Sequence, residues 1–318
     1  MRETNISEGA SLDYQALVDA VLSDAGTYRG HGDLPTHLPA LAQVDLKKFG
    51  IAIALGDGST YVAGDADEAF SLQSISTIFT LSLTLGHVGA ALWNHVGREP
   101  SGSPFNSIVQ LEAEKGKPRN PLINAGAIVV CDQLMGRRTP DEAVVEILGF
   151  LREQARDEGI SIDQNVAMSE SQAGNLNRSL AHFLAAFGNL QNPVEDVLSV
   201  YFRQCAIRMS CRQIAKAALY LAFDGTDPVT RQEICIPSRS RRINALMLTS
   251  GHYDNSGDFA FRIGLPAKSG SGGGILATIP GVGAVCVWSP GLNAARTSLA
   301  GAVALEKLVE RTGWSVFV

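Results

Sequence analysis

Between residues 12 and 25 the apolar positions Leu12, Ala16, Leu17, Ala20, Val21 and Leu22 fall at helical spacing, which predicts a helix. Gly30 to Pro39 is rich in breakers and reads as a loop. Residues 49–55 then form an apolar run, Gly56-Asp57-Gly58 turns the chain, and residues 59–64 return, so a strand hairpin is predicted. From Ser74 to about residue 225 the periodicity is helical. Segments 74–85, 143–158, 180–190, 196–208 and 211–223 each predict a helix, with Val144, Ile147, Leu148 and Leu151 forming one face of the second. Past residue 255 the pattern changes again. Residues 259–264, 274–279 and 282–289 read as three strands between Gly and Pro turns, and 294–312 closes the chain as an amphipathic helix. The simplest assembly pairs the early hairpin with the late strands in one antiparallel sheet flanked by the terminal helices. This predicts an α+β fold, with residues 1–72 and 256–318 as an α/β domain and 73–255 inserted as a mostly helical one, the site lying at their interface.

Composition narrows the function classes. The chain has 318 residues, 45% apolar and 18% charged, enough for substantial cores and too apolar for a disordered chain. A net charge of −6, from 26 Lys+Arg against 32 Asp+Glu, argues against nucleic acid as a partner. The one basic cluster, Ser238-Arg239-Ser240-Arg241-Arg242, reads as a solvated loop or a salt-bridging surface. No uninterrupted apolar run approaches the ~18 residues that span a bilayer, so no membrane association is expected. The start Met1-Arg2-Glu3-Thr4-Asn5 has no apolar signal core behind it, and a cytoplasmic location is expected. Cys131, Cys205, Cys211, Cys235 and Cys286 are odd in number and lack CxxC spacing, as for reduced thiols. The histidines include no HExxH, and His31 and His37 flank a turn-like segment, so no metal is expected.

The candidate chemistry starts at Ser74. Serine needs a proton acceptor to act as a nucleophile, and the first turn of a helix favours developing negative charge. Alone, a serine before an apolar helix is an N-cap, and Lys268-Ser269-Gly270 alone is an ordinary turn. In this order, with a helical segment between, they resemble the frame of serine hydrolases related to β-lactamases and penicillin-binding proteins. That frame places a lysine three residues after the serine, and this chain has Thr77 there. Glycines around Ser271-Gly272-Gly273-Gly274 allow a close backbone approach, and the strand can present an N–H to an oxyanion.

A closer resemblance rests on blocks that run along nearly the whole chain. They are Gly64-Asp65-Ala66-Asp67, Phe70-Ser71-Leu72-Gln73-Ser74-Ile75-Ser76, Pro104-Phe105-Asn106-Ser107 and the stretch from Asn120 to Ile128. Ser169-Glu170, Tyr201-Phe202-Arg203-Gln204-Cys205, Ser256-Gly257-Asp258 and the stretch from Gly264 to Gly270 continue the series. Together they resemble bacterial glutaminases of the serine-dependent, β-lactamase-like type. The resemblance implies a β-lactamase/penicillin-binding-protein-like fold and cofactor-free hydrolysis of L-glutamine through a glutamyl-serine intermediate, by a homodimer or homotetramer. It makes Ser74 the nucleophile, with Tyr201, Tyr253 and Lys268 as further catalytic candidates and Thr77 at the position of the expected lysine. It places Ser74, Asn124, Glu170, Asn177, Tyr201, Tyr253 and Ser271 around the substrate, the last through its backbone N–H, so that its side chain should matter little.

The residue types suit that substrate: Glu170 can pair an ammonium, while Asn124 and Asn177 offer donors and acceptors to the polar ends. Thr77 offers no base, and loss of a positioned base commonly costs ~10²–10⁴ in rate, so weakened turnover is expected. Tyr253 or Tyr201, aided by Lys268, are partial substitutes. His37 stands where the family usually has tyrosine and is a further group of near-neutral pKa beside the site. Two other readings fit the same frame: a penicillin-binding or β-lactamase-like hydrolase, and an inactive glutamine-binding homologue.

Overall fold

The computed structural model describes residues 12–317, so the expectation drawn from Met1–Asn5 lies outside the described residues. In chain order the strands are β1 (Gly50–Leu55), β2 (Thr60–Gly64), β3 (Phe70–Ser71), β4 (Ser161–Ile162), β5 (Ile207–Met209), β6 (Ala267–Ser269), β7 (Gly274–Ile279) and β8 (Gly283–Trp288). The main sheet has the order β2-β1-β8-β7-β6 and is antiparallel throughout. The early hairpin thus joins the late strands directly, with Ile51 opposite Val287 and Ile53 opposite Val285.

Every residue of β1, β7 and β8 is buried, because both faces of the sheet are covered. Ile51, Ile53, Val285 and Val287 share one core with Val18 and Val21 of helix Tyr14–Ala25 and with Leu305 and Leu308 of helix Leu299–Thr312. Ala52, Ala54, Ala284 and Cys286 face the other core, whose helices include Cys211–Ala217 and Leu219–Ala222. Small side chains on that face let those helices lie close. Most of the remaining helices build the second core, with Asn124–Met135 buried along nearly its whole length.

Several sequence expectations need correction. Residues 259–264 are not a strand: Ser256–Arg262 is a helix. Phe259 and Ile263 are buried one helical turn apart, while Phe261 between them is 91% exposed, so three alternating apolar residues imitated a strand. The segment 196–208 is helical only over Val194–Cys205, after which β5 pairs with β3 and β4 in a small second sheet. Strands of two and three residues carry too few positions to show a period. The segment 211–223 is broken at Ala218 into two helices. The basic cluster opens the helix Pro237–Ser250 instead of forming a loop, and Ser240 within it is buried and donates to the Leu221 carbonyl at 3.0 Å. Helical run Gln73–Asn94 reaches a mean hydropathy of 1.5 over 18 residues, enough by length and composition to cross a membrane. Polar Ser76, Thr77, Thr80 and Thr84 interrupt it, and 61% of that window is buried inside the fold, as in a core helix.

The two sheets meet where the segment after β3 lies against the β6–β7 turn. A Cβ at Gly272 would stand 2.3 Å from the Ser71 carbonyl oxygen, and one at Gly270 2.6 Å from that of Leu72. The Trp288 indole donates to the Gly272 carbonyl at 3.0 Å and stacks on Phe70 at 4.9 Å. Gly272→Ala is expected to cost about 1–3 kcal/mol in urea or thermal unfolding, because backbone must shift. Gly149→Ala, at an exposed helical position with open space around it, is expected to be neutral or to stabilise by up to about 1 kcal/mol. Equal effects at the two positions would remove the close approach as the cause.

Candidate active site

The chain reaches Ser74 through a kink. Gln73 has φ +50°, in the left-handed region that a residue with a side chain seldom occupies. Its side chain is held at both ends: Nε2 donates to Ser71 Oγ at 3.0 Å and reaches the Cys205 carbonyl at 3.4 Å, while Oε1 accepts from Ser271 Oγ at 3.1 Å. Ser76 Oγ donates to the Gln73 carbonyl at 2.7 Å. Ser74 therefore leaves the kink in a fixed direction, at the head of helix Ser76–Val88, and enters the wall of a cavity of about 330 Å³.

All seven residues expected around a substrate line that cavity: Ser74 with Ser271, Asn124 with Asn177, Tyr201 with Tyr253, and Glu170. Asn124 opens helix Asn124–Met135. Its N–H donates to the Phe105 carbonyl at 3.0 Å, and its Nδ2 donates to Asn177 Oδ1 on helix Asn175–Ala186 at 2.9 Å. Glu170, on helix Gln164–Ala173, is only 5% exposed. Burial raises its carboxyl pKa to about 7, with the facing Gln73 side chain acting in the opposite direction. Among the described residues no cation lies within ion-pair distance of its carboxylate, and an arriving ammonium would supply one.

Tyr253 begins a short 3₁₀ turn, Tyr253–Asn255, also at positive φ, +58°. Its phenol faces Ser74. Burial raises its pKa to about 12, and the facing Ser74 hydroxyl acts in the opposite direction. Its ring lies 4.6 Å from that of Phe105. Tyr201, on helix Val194–Cys205, is raised well above the usual phenol range by burial first and by the neighbouring Cys205 next.

Lys268 and Thr77 do not form part of the cavity wall. Lys268 is fully buried behind Tyr253, with Nζ 4.2 Å from the ring centroid and donating to the Ser269 carbonyl at 2.6 Å. Burial lowers its pKa to about 7, against a raising influence from Cys205. Thr77 is 2% exposed within helix Ser76–Val88. Ser271 departs from expectation, since its hydroxyl fixes Gln73 and so its side chain has a part in the site.

Phe105, Asn106, Cys205 and Arg296 also line the cavity, without a role assigned from sequence. The first three fall inside the motif blocks; Arg296 lies in a loop with no local signal. His37 stands at the rim, its pKa lowered by burial and then by Arg296. Among the described residues no cluster of three or more His, Cys, Asp or Glu side chains is placed to hold a metal ion. A serine hydroxyl facing a phenol across one cavity, beside a turn able to present backbone N–H groups, is an arrangement for acyl transfer.

Comparison with known proteins agrees over the full architecture. The glutaminase family model matches residues 32–317. A glutaminase of Rhizobium rhizogenes is 57% identical over 305 residues, covering 96% of this chain and 99% of the relative. One of Rhizobium meliloti is 54% identical over 317 residues, covering 100% and 99%. Among solved structures, the probable glutaminase ybaS superposes with a TM-score of 0.90 at 35% identity, covering 96% of this chain and 99% of that one. A probable glutaminase from Bacillus subtilis complexed with 6-diazo-5-oxo-L-norleucine gives 0.87 at 28% identity, covering 98% and 100%. The chain belongs to the glutaminase family and has its β-lactamase-like fold.

Proposed function

We propose that this chain hydrolyses L-glutamine to L-glutamate and ammonia through a glutamyl ester on Ser74. The observation that carries the reading is one cavity holding the Ser74–Tyr253 pair together with a buried, unbalanced Glu170. The substrate ammonium pairs with Glu170, which places the side-chain amide at Ser74. Ser74 Oγ attacks the amide carbon, the C–N bond breaks, and the serine proton leaves on the nitrogen as ammonia. Water then cleaves the ester and restores the serine. The backbone N–H groups of Ser74 and Ser271 suit the oxyanion: the bonds of the turn, Gly270 N–H to Gly274 and Gly273 N–H to Gly270, do not engage that of Ser271.

Tyr253 carries the proton between Ser74 and the leaving nitrogen. A phenol with a pKa of about 12 is ionised only to about 10⁻⁵ at neutral pH, so turnover is slow. Lys268 assists through its charge behind the ring, and Thr77 adds no base. The five buried, unpaired thiols support a reducing, cytoplasmic setting. Phe261 and Phe317, both exposed, are apolar surface that a homodimer or homotetramer would cover.

An ammonia-release assay tests the reaction. The native chain should turn over L-glutamine below about 10 s⁻¹, Ser74→Ala should release nothing above background, and Thr77→Lys should raise kcat by about 10²-fold or more. Faster native turnover would overturn the account of Thr77, and nitrocefin hydrolysis without glutamine hydrolysis would overturn the substrate.

Binding should also move a proton. Below about pH 7 the free Glu170 is mostly protonated, whereas a bound ammonium favours its carboxylate, so binding releases the proton. Affinity for L-glutamate is therefore expected to rise up to about tenfold per unit from about pH 5.5 to about 7 and then level off. Calorimetry in two buffers of different ionisation heat measures the release, and Glu170→Gln should abolish it. Binding with no proton exchange in this range would remove Glu170 as the ammonium partner.

A further inference from the structure

Arg296 is the one arginine or lysine among the described residues lining the cavity. It lies in the loop between β8 and helix Leu299–Thr312, in a tight turn. Asn293 N–H donates to the Thr297 carbonyl at 2.8 Å, Arg296 N–H to the Asn293 carbonyl at 2.9 Å, and Thr297 N–H to Asn293 Oδ1 at 3.1 Å. This turn holds Arg296 at φ +58°, a conformation that favours glycine. A long cationic side chain nevertheless occupies the position and reaches over Phe105, its guanidinium carbon 6.0 Å from the ring centroid. Among the described residues no carboxylate lies within ion-pair distance of it.

We infer that Arg296 binds the α-carboxylate of the substrate, with His37 on the same cavity wall; this rests on the glutamine reading above. A free amino acid brings one positive and one negative charge into the cavity. Glu170 answers the first. Asn124 and Asn177, already bonded to each other, offer only neutral dipoles to the second. Arg296 supplies the missing countercharge and a planar fork that fits a carboxylate. Burial and then the nearby Arg296 charge lower the His37 pKa, so protonation of the ring is disfavoured beside Arg296.

The test compares the native chain with Arg296→Gly and Arg296→Lys. Glycine suits the positive φ, so the first variant is expected to fold. Arg296→Gly should weaken L-glutamate about tenfold in calorimetry and raise KM for L-glutamine about tenfold, with kcat moving less than about twofold. Arg296→Lys should recover part of the loss. Binding of L-glutamine α-amide, which lacks the carboxylate, should be the same in the native chain and Arg296→Gly. An unchanged L-glutamate affinity, or an equal loss for the α-amide, would overturn the role of Arg296 while leaving glutamine binding in place. If the native chain binds neither L-glutamine nor L-glutamate, the glutamine reading falls and this inference with it.

Discussion

The site depends on one close contact between backbones. The segment Ser71–Gln73 and the turn Gly270–Gly273 approach so nearly that neither Gly270 nor Gly272 has room for a side chain. The first segment belongs to the small sheet through β3, and the second joins two strands of the large sheet. Their contact sets the distance between the Ser74 hydroxyl and the backbone N–H of Ser271. Strain at Gln73 is tolerated because both ends of its amide are held from opposite sides of that contact. A nucleophile placed in this way has little freedom to adjust, which favours preorganisation over adaptation.

Around this contact the protein buries two ionisable groups of opposite kind. Glu170 is pushed up to about 7 and Lys268 down to about 7, both by loss of water. Among the described residues neither has a partner of opposite charge within ion-pair distance. Glu170 opens on the cavity, and so its charge awaits a ligand. Lys268 is shut behind Tyr253, against that ring and the Ser269 carbonyl. The same physical cause therefore yields a recognition group in one place and an electrostatic influence in the other, according to which side of Tyr253 the group lies.

Much of this was legible in the sequence. The hairpin at residues 49–64 and the strand at 274–279 carried strong apolar runs and recognisable turns, and they paired as expected. The motif blocks contain Ser74, Asn124, Glu170 and Tyr201, and the family resemblance they carry placed Asn177, Tyr253 and Ser271 beside them in the cavity. What escaped had physical reasons. β3, β4 and β5 are too short for periodicity, and Phe259, Phe261 and Ile263 alternate in sequence while two of them share a helical face. The burial of Lys268 depends on tertiary packing, which no local pattern around it carries. Arg296 reaches the cavity through a turn built by Asn293, and no pattern in that loop marks a left-handed residue.

The order of strands in the large sheet also bears on synthesis. β1 and β2 are made early, yet β1 forms its second set of pairings only with β8, where Leu55 meets Gly283. Until then the fully apolar Gly50–Leu55 segment keeps one edge open while the whole helical portion emerges. Such long-range pairing slows folding and leaves an unpaired edge available to other chains. The helical portion can gather around its own core during that wait, because most of its contacts are internal. The nucleophile is translated early, but its surroundings are completed only when the last strands arrive, so a nascent chain carries the serine long before it can carry out chemistry with it.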